Sequence, residues 1–161
     1  MRRTLGFLAL LLSLVALAPT AWAGPPTDAQ ATGPGQSASS TLIRTAGGNS
    51  MFAAVDTLSL TGGIIGTATD TYTYTVHRDG SITGHGTETC SACTIGGRTG
   101  TYTQAFNFTA TPDFATFQGH FAFVDAGGGL AGLHGHGTFQ GIATSATDFS
   151  ETMQLRYTFE T

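Results

Sequence analysis

Lysine is absent from this chain of 161 residues, and charged residues make up only 10% of it. A nucleic-acid-binding surface needs a stripe of basic side chains, and the six arginines do not form one. Chemistry that requires lysine, such as Schiff-base catalysis or a phosphate-binding P-loop, is excluded as well. Without Arg2 and Arg3, four arginines face ten acidic residues, a net charge of −6. The sequence therefore predicts an acidic protein that does not bind nucleic acid.

Long apolar runs are missing beyond the N-terminus, so no stable insertion into a bilayer is expected there. The chain begins with the basic "MRR", the apolar "TLGFLALLLSLVALAPT" and then "AWA", with small residues at positions 21 and 23. This order is typical of a secretory signal peptide, here residues 1–23, cleaved after Ala23. We expect a secreted protein, periplasmic or extracellular, exported by either the general or the twin-arginine route.

Cysteine is also scarce, since the chain has only Cys90 and Cys93. Export favours a disulfide between them. A thioredoxin-like redox pair needs a helix after the cysteines, and a zinc site needs further thiols or histidines nearby. Neither requirement is visible in the sequence, so a local structural disulfide is the preferred interpretation.

Residues 24–40, "GPPTDAQATGPGQSASS", contain no large apolar side chain. A segment of this composition buries too little surface to order itself, which predicts a disordered linker. The β-barrel domain is expected to follow, at residues 41–161.

Within residues 41–161 the apolar pattern has a period of two, which indicates strands. In "TYTYTVH" (71–77) and "MQLRYTFE" (153–160), apolar and polar residues alternate. Hairpin turns such as "RDGS" (78–81) separate these runs, and no segment has the pattern of a long amphipathic helix. Glycines on the inward face, such as Gly84 and Gly137, make room for large rings or let strands coil. The sequence predicts an all-β fold, a small closed antiparallel barrel of about eight strands.

Signatures of known enzymes are lacking. "GGGLAG" (127–132) has the spacing of a dinucleotide-binding loop, but the residues after it indicate a strand instead of a helix. The zinc-protease and serine-hydrolase motifs are absent. No cofactor is predicted, and no catalytic residue is identified.

Five histidines alternate with threonines and glutamines on the polar face of their strands. In a small barrel this face is the outside, so we interpret them as surface residues and predict no metal site. The alternative is a metal site at which His85, His134 and His136 converge, since "GHGT" occurs at both 84–87 and 135–138.

Polar residues on the apolar face are more informative. Gln104 lies between Tyr102 and Phe106, Glu88 continues the face of Ile82, and Asp56 alternates with Leu58. One interpretation is a hydrogen-bonded network in the core or a strand end that has left the core. The other is a ring-lined cavity with a few convergent polar groups, the usual anatomy of a ligand site. The candidate ligand-binding residues are Glu88, Tyr102, Gln104 and Tyr157.

Three stretches carry a resemblance to a known family: "LTGGIIGTATDTYTYTVHRDGSITGHGTET", "GGRTGTYTQAFNF" and "FQGHFAFVDAGGGLAGLHGHGTFQG". Over about residues 60–160 the chain resembles an uncharacterised bacterial family, a domain of unknown function. That family is thought to share the small barrel of allene oxide cyclases and dirigent proteins. The resemblance implies an allene oxide cyclase-like, calycin-like barrel and carries over no catalytic residue. Relatives with known roles handle small apolar molecules inside the barrel.

Three functions therefore stay open. The first is binding of a small apolar ligand inside the barrel, without catalysis. The second is a cofactor-free lyase or isomerase of the cyclase kind, acting on a small apolar substrate. The third is a structural envelope or self-assembly protein with a full core, for which homo-oligomers are conceivable. An open cavity favours the first two, and a buried, perturbed carboxyl group within it favours an enzyme.

Overall fold

The computed structural model describes residues 24–160, so the signal peptide expected at residues 1–23 lies outside the described residues. Eight strands follow one another along the chain: β1 Thr27–Ala46, β2 Asn49–Gly62, β3 Ile64–Val76, β4 Ile82–Ile95, β5 Arg98–Ala110, β6 Thr116–Gly128, β7 Leu133–Ala143 and β8 Asp148–Phe159. Within residues 24–160 no helix is long and apolar enough to cross a bilayer.

Each strand pairs antiparallel with the next, and β8 pairs with β1 to close the barrel. The predicted all-β closed barrel of about eight strands is confirmed. Because the connections are hairpins, alternate turns meet at the same end. The β1–β2, β3–β4, β5–β6 and β7–β8 turns lie at one end, which we call the open end. The other three turns and both termini of the barrel lie at the closed end.

The prediction of a disordered linker at residues 24–40 is wrong, because strand β1 begins at Thr27. This strand pairs with β2 on one side and with β8 on the other, so the domain begins at Thr27 and not at residue 41. Its inward positions Ala31, Gly33 and Gly35 are buried. The ring of Phe149 lies so close to Gly35 that a Cβ atom there would collide with it. Close packing therefore requires small inward residues in β1, although the composition of residues 24–40 is that of a flexible segment.

Glycines elsewhere in the barrel have the same role. A Cβ atom on Gly84 would meet the ring of Phe108, and one on Gly137 would meet the ring of Phe121. These are cross-strand partners, so each ring folds over its neighbouring strand and does not cross the barrel. The inward glycines make room for rings, but the expectation that these rings come from across the core is wrong, because they come from the neighbouring strand.

The closed end is filled by packed apolar side chains. Ile64, Ile95 and Leu130 are fully buried there, and Leu130 comes from the β6–β7 connection. The sulfur atoms of Cys90 and Cys93 are at disulfide distance, and both residues are buried. Because this end is packed, any interior space must lie toward the open end.

Candidate functional site

An interior cavity of about 310 Å³ lies in the open half of the barrel. Its volume falls at the lower end of the range for small-molecule sites. The mouth is bordered by Phe114 of the β5–β6 turn and by residues 145–147 of the β7–β8 turn. The walls are rings contributed by five strands: Tyr72, Tyr74, Phe106, Phe108, Phe117, Phe139 and Phe149.

Six polar side chains, which we call the polar belt, line the cavity below these rings: Ser37, Asp56, Asp70, Glu88, Gln104 and Glu151. The first five are successive cross-strand partners on β1 to β5, so the register alone places them in one layer. Glu151 comes from β8, which pairs with β1 on its other side. The five charged or amide members are nearly inaccessible, with exposed fractions of 7% for Asp56, 9% for Asp70, 2% for Glu88, 1% for Gln104 and 6% for Glu151.

Hydroxyl groups donate hydrogen bonds to two of the carboxyl groups in the polar belt. Ser37 donates to Oδ1 of Asp56 at 2.7 Å, and the Tyr72 hydroxyl donates to Oδ2 of the same carboxyl at 2.8 Å. The Tyr102 hydroxyl donates to Oε1 of Glu88 at 2.5 Å. Two buried oxygens have no partner in the described structure, namely Oδ1 of Asp70 and Oε1 of Gln104. Because buried polar atoms are nearly always paired, these two oxygens are the unsatisfied acceptors of the layer.

Burial is the largest cause of a raised pKa at all four carboxyl groups of the belt. The pKa of Glu88 rises to about 7, since hydrogen bonds from Tyr102, Asp70 and Gln104 partly offset the loss of hydration. The pKa of Asp70 is raised further above its ordinary value by the charges of Glu88, Glu151 and Asp56. The hydrogen bond between Asp70 and Glu88 raises the pKa of the first and lowers that of the second. The two carboxyl groups therefore interact, and burial disfavours the ionised form of both.

The aromatic walls form a continuous contact network. Phe106 and Phe139 meet edge to face with their ring centroids 5.9 Å apart, and Phe117 and Phe149 do so at 5.5 Å. Such contacts hold rings in fixed orientations. The cavity is therefore a preformed space with apolar walls and a floor of carboxyl groups.

The sequence-predicted site residues occupy different places. Glu88 and Gln104 line the cavity, whereas Tyr102 is packed behind Glu88 and contacts it through its hydroxyl. Tyr157 does not line the cavity, since its hydroxyl lies beside Gly96 in the β4–β5 turn of the closed end. The strand direction explains this difference, because the inward face of β8 reaches the cavity at Glu151 and Met153 and passes the closed end at Tyr157.

Three members of the belt were missed by sequence reasoning: Ser37, which lies in the segment interpreted as a linker, Asp70 and Glu151. Asp70 continues the inward face of Tyr72 and Tyr74, and Glu151 continues the inward face of Met153. The same period of two, carried one step beyond each apolar run, identifies both. Asp56 was noted as a polar residue on an apolar face but was not included in the site.

The histidines lie on the outer face. His85, His120, His134 and His136 are exposed, and His77 is half-buried beside Thr83. His134 contacts Glu160, with Nε2 and Oε2 3.4 Å apart. Among residues 24–160, no three histidine, cysteine or acidic side chains are arranged to hold a metal ion. The facing of the histidines thus agrees with the surface interpretation.

Comparison with known proteins gives a fold without an activity. No family model and no curated protein matches the chain. One similar solved structure is a protein of unknown function of the DUF3224 family from Shewanella oneidensis MR-1, with a TM-score of 0.57 and 17% identity. The match covers 84% of this chain and 99% of that one. At 17% identity this likeness shows the barrel fold alone and does not support a kinship with allene oxide cyclases or dirigent proteins.

Proposed function

We propose that this barrel binds a small molecule with an apolar body in its interior cavity. The observation that carries the proposal is a cavity of about 310 Å³ with ring-lined walls and two unpartnered buried oxygens at its floor. A structural barrel with a full core has no reason to keep this space, since empty volume and unpaired polar groups both lower stability. The kinship with allene oxide cyclase and dirigent barrels is part of this proposal, because those barrels also act through their interiors.

A fluorescent aromatic probe tests the proposal. N-phenyl-1-naphthylamine is uncharged near neutral pH, and its fluorescence rises in apolar surroundings. We expect it to bind the barrel and to lose most of its affinity in Ala143→Trp, which places a large ring at the mouth. The matched control is Ile142→Trp, since Ile142 is the next residue but lies exposed on the outer face. Equal binding to all three proteins, or no binding to any, would contradict the proposal.

A second candidate function is a lyase or isomerase on a small apolar substrate. It is favoured by Glu88, which is buried beside the cavity, contacts the Tyr102 hydroxyl and has its pKa raised to about 7. A carboxyl group of this kind exchanges protons at neutral pH, as a general acid or base must. Native mass spectrometry of the protein from its own host separates the two functions. A co-purifying molecule that is stable on incubation favours a carrier, and conversion that Glu88→Gln stops favours an enzyme.

We also propose that the barrel acts outside the cytoplasm. The N-terminal signal pattern supports export, and the close approach of Cys90 and Cys93 fits an oxidising compartment. The intact mass of the exported protein should correspond to a chain that begins at Gly24. Thiol labelling under denaturing, non-reducing conditions should modify neither cysteine. An uncleaved chain, or one with two reactive thiols, would refute the proposal.

A further inference from the structure

The charges around the cavity are all of one sign. Six acidic residues line it, four in the polar belt and Asp113 and Asp148 at the mouth. Among the described lining residues there is no arginine, lysine or histidine. A carboxylate inside a protein is normally paired with a cation or with several donors. Here the chain supplies hydroxyl donors to Asp56 and Glu88 but no positive charge.

The two unpartnered oxygens narrow the chemistry of the ligand. Oδ1 of Asp70 and Oε1 of Gln104 accept hydrogen bonds, and their residues are more than nine-tenths buried. A ligand that satisfies both must present at least two N–H or O–H donors. A hydroxyl group has a single donor, whereas an ammonium group has three and also carries the missing charge.

The aromatic walls of the cavity also favour a ligand that carries an ammonium group. Rings such as Tyr72 and Phe106 lie directly above the belt on the same strands as Asp70 and Gln104. Ring faces attract cations as well as apolar groups, and the attraction is stronger where water is excluded. An aryl or alkyl body would therefore lie between rings while its charged end reaches the floor.

Other occupants fit less well. An anionic ligand such as a fatty acid would place its carboxylate among four others, which like-charge repulsion disfavours. A bound metal ion needs converging ligands, and the described residues contain no such group of three.

We infer that the ligand of this cavity carries a protonated amine, whose N–H groups donate to the unpartnered oxygens of Asp70 and Gln104 while the belt carboxyl groups balance its charge. This inference rests on the ligand-binding function proposed above.

A consequence is that binding releases protons. The titratable groups of the cavity are Asp56 on β2, Asp70, Tyr72 and Tyr74 on β3, Glu88 on β4, Tyr102 on β5, Glu151 on β8, and Asp113 and Asp148 at the mouth. Burial raises the pKa of all four carboxyl groups, and that of Glu88 to about 7, so Glu88 retains its proton in the empty barrel at mildly acidic pH. When the ammonium ion enters, a carboxyl group loses its proton to solvent and becomes the counter-ion. Affinity should therefore increase as the pH rises from 5 to 7.

Three probes of similar size, which differ only in the terminal group, test the inference: phenethylamine, 2-phenylethanol and phenylacetate. Their affinities are measured in phosphate buffer at pH 7 by displacement of N-phenyl-1-naphthylamine. We expect phenethylamine to bind at least tenfold more tightly than 2-phenylethanol, and phenylacetate to bind more weakly than both. In unbuffered salt solution at pH 6, phenethylamine should release protons that a pH electrode detects, and 2-phenylethanol should release none.

The variant Asp70→Asn tests whether the preference for phenethylamine depends on the polar belt. It should lose at least tenfold in affinity for phenethylamine, keep its affinity for 2-phenylethanol, and melt at the same or a higher temperature than the wild type. Asp125→Asn is the control, since Asp125 is exposed and does not line the cavity, and it should change none of these values. If Asp70→Asn does not fold, Glu151→Gln provides the same comparison, and proton release by the wild type needs no variant.

The outcomes separate this inference from the function on which it rests. If the naphthylamine probe binds inside the barrel but phenethylamine competes no better than 2-phenylethanol, the amine inference is overturned and the binding function stands. Tighter binding of phenylacetate, or stabilisation by Ca²⁺ and not by phenethylamine, also overturns it. If the naphthylamine probe does not bind at all, the binding function itself fails.

Discussion

At the scale of single residues, the polar belt places four carboxyl groups where water scarcely reaches them. Each is harder to ionise there than in water, so the belt lowers the stability of the fold at neutral pH. Groups that lower stability and face a cavity are common at functional sites, where activity needs an arrangement that packing alone would not select. Glu88 illustrates the balance, because hydrogen bonds from Tyr102, Asp70 and Gln104 offset part of its loss of hydration.

The hydrogen bond from Tyr102 to Glu88 can be tested by a single substitution. Tyr102→Phe removes the hydroxyl that donates to Oε1 at 2.5 Å. We expect the free energy of unfolding to fall by about 1–3 kcal/mol, as for other lost partners of buried groups. The pKa of Glu88 should rise further above 7, because a bond that favours its charged form is gone. Chemical denaturation and NMR titration of the Glu88 carboxyl carbon measure the two effects.

Tyr157→Phe is the matched control, since Tyr157 is also buried but lies at the closed end beside Gly96. It should leave the pKa of Glu88 unchanged. A shift of equal size in both variants would show that the Tyr102 hydroxyl has no special relation to Glu88.

At the scale of elements, β1 decides whether the sheet closes. It provides the partner for both β2 and β8, and without it those strands would expose unpaired backbone groups. Its inward face is made of alanine and glycine because the ring of Phe149 lies against Gly35 and the backbone of β2 at Ser59 lies against Gly33. The element is thus ordered by its two neighbours and not by its own side chains.

Gly35→Val tests this account of β1. The added methyl groups would overlap the ring of Phe149, so we expect a loss of about 1–3 kcal/mol or more in unfolding free energy. Gln36→Val changes the next position, which is exposed on the outer face, and should stay within about 0.5 kcal/mol of the wild type. Thermal and urea denaturation report both. Equal, small effects would mean that residues 24–40 behave as the linker that their composition predicts.

At the scale of the whole molecule, the barrel is divided into a packed closed end and a hollow open end. The division follows from where each strand changes its inward residues from apolar to acidic. The acidic side chains of the belt come from β2, β3, β4 and β8, so ionisation of this layer affects four strands at once.

The pH dependence of stability is the corresponding prediction. A carboxyl group whose pKa is raised by folding stabilises the fold fully below its unfolded pKa and loses that contribution as the pH rises through its folded pKa. For Glu88, a rise from 4.5 to about 7 corresponds to roughly 3 kcal/mol lost between these pH values. Asp70 and Glu151 act in the same direction. The lowered pKa values of Asp79 and Asp113 oppose this trend only near pH 4 and below.

We therefore expect the melting temperature to be highest near pH 4.5 and to decrease steadily toward pH 8. Differential scanning calorimetry across this range measures it. Glu88→Gln should flatten the curve between pH 4.5 and 7. A melting temperature that increases over the same range would refute the prediction.

Much of the barrel follows from local pattern. Alternation in "TYTYTVH" and "MQLRYTFE" is enough to predict strands and to assign their inward faces, because side chains of a strand point to opposite sides in turn. The inward position of Glu88 follows from the same rule, and it holds because the register shift near the cysteines lies beyond it, between Cys90 and Cys93.

Local pattern fails where a residue's role is set by its neighbours in space. Residues 27–40 carry no large apolar side chain, so their order depends on rings such as Phe149, more than a hundred residues away. Tyr157 and Gln104 both point into the barrel. Their positions along the barrel axis differ, and only the tertiary structure shows that Tyr157 lies at the closed end and Gln104 in the cavity.

By itself the sequence determined the fold class and the inward facing of most residues, because alternation is a property of each strand alone. Only the tertiary structure decided that Asp56, Asp70, Glu88 and Gln104 form one layer, since that depends on the pairing register of four strands. The same closure brought Glu151 into the layer from β8 and removed the layer from water. Burial, a property of the assembled barrel, is what makes four ordinary carboxyl groups resist ionisation.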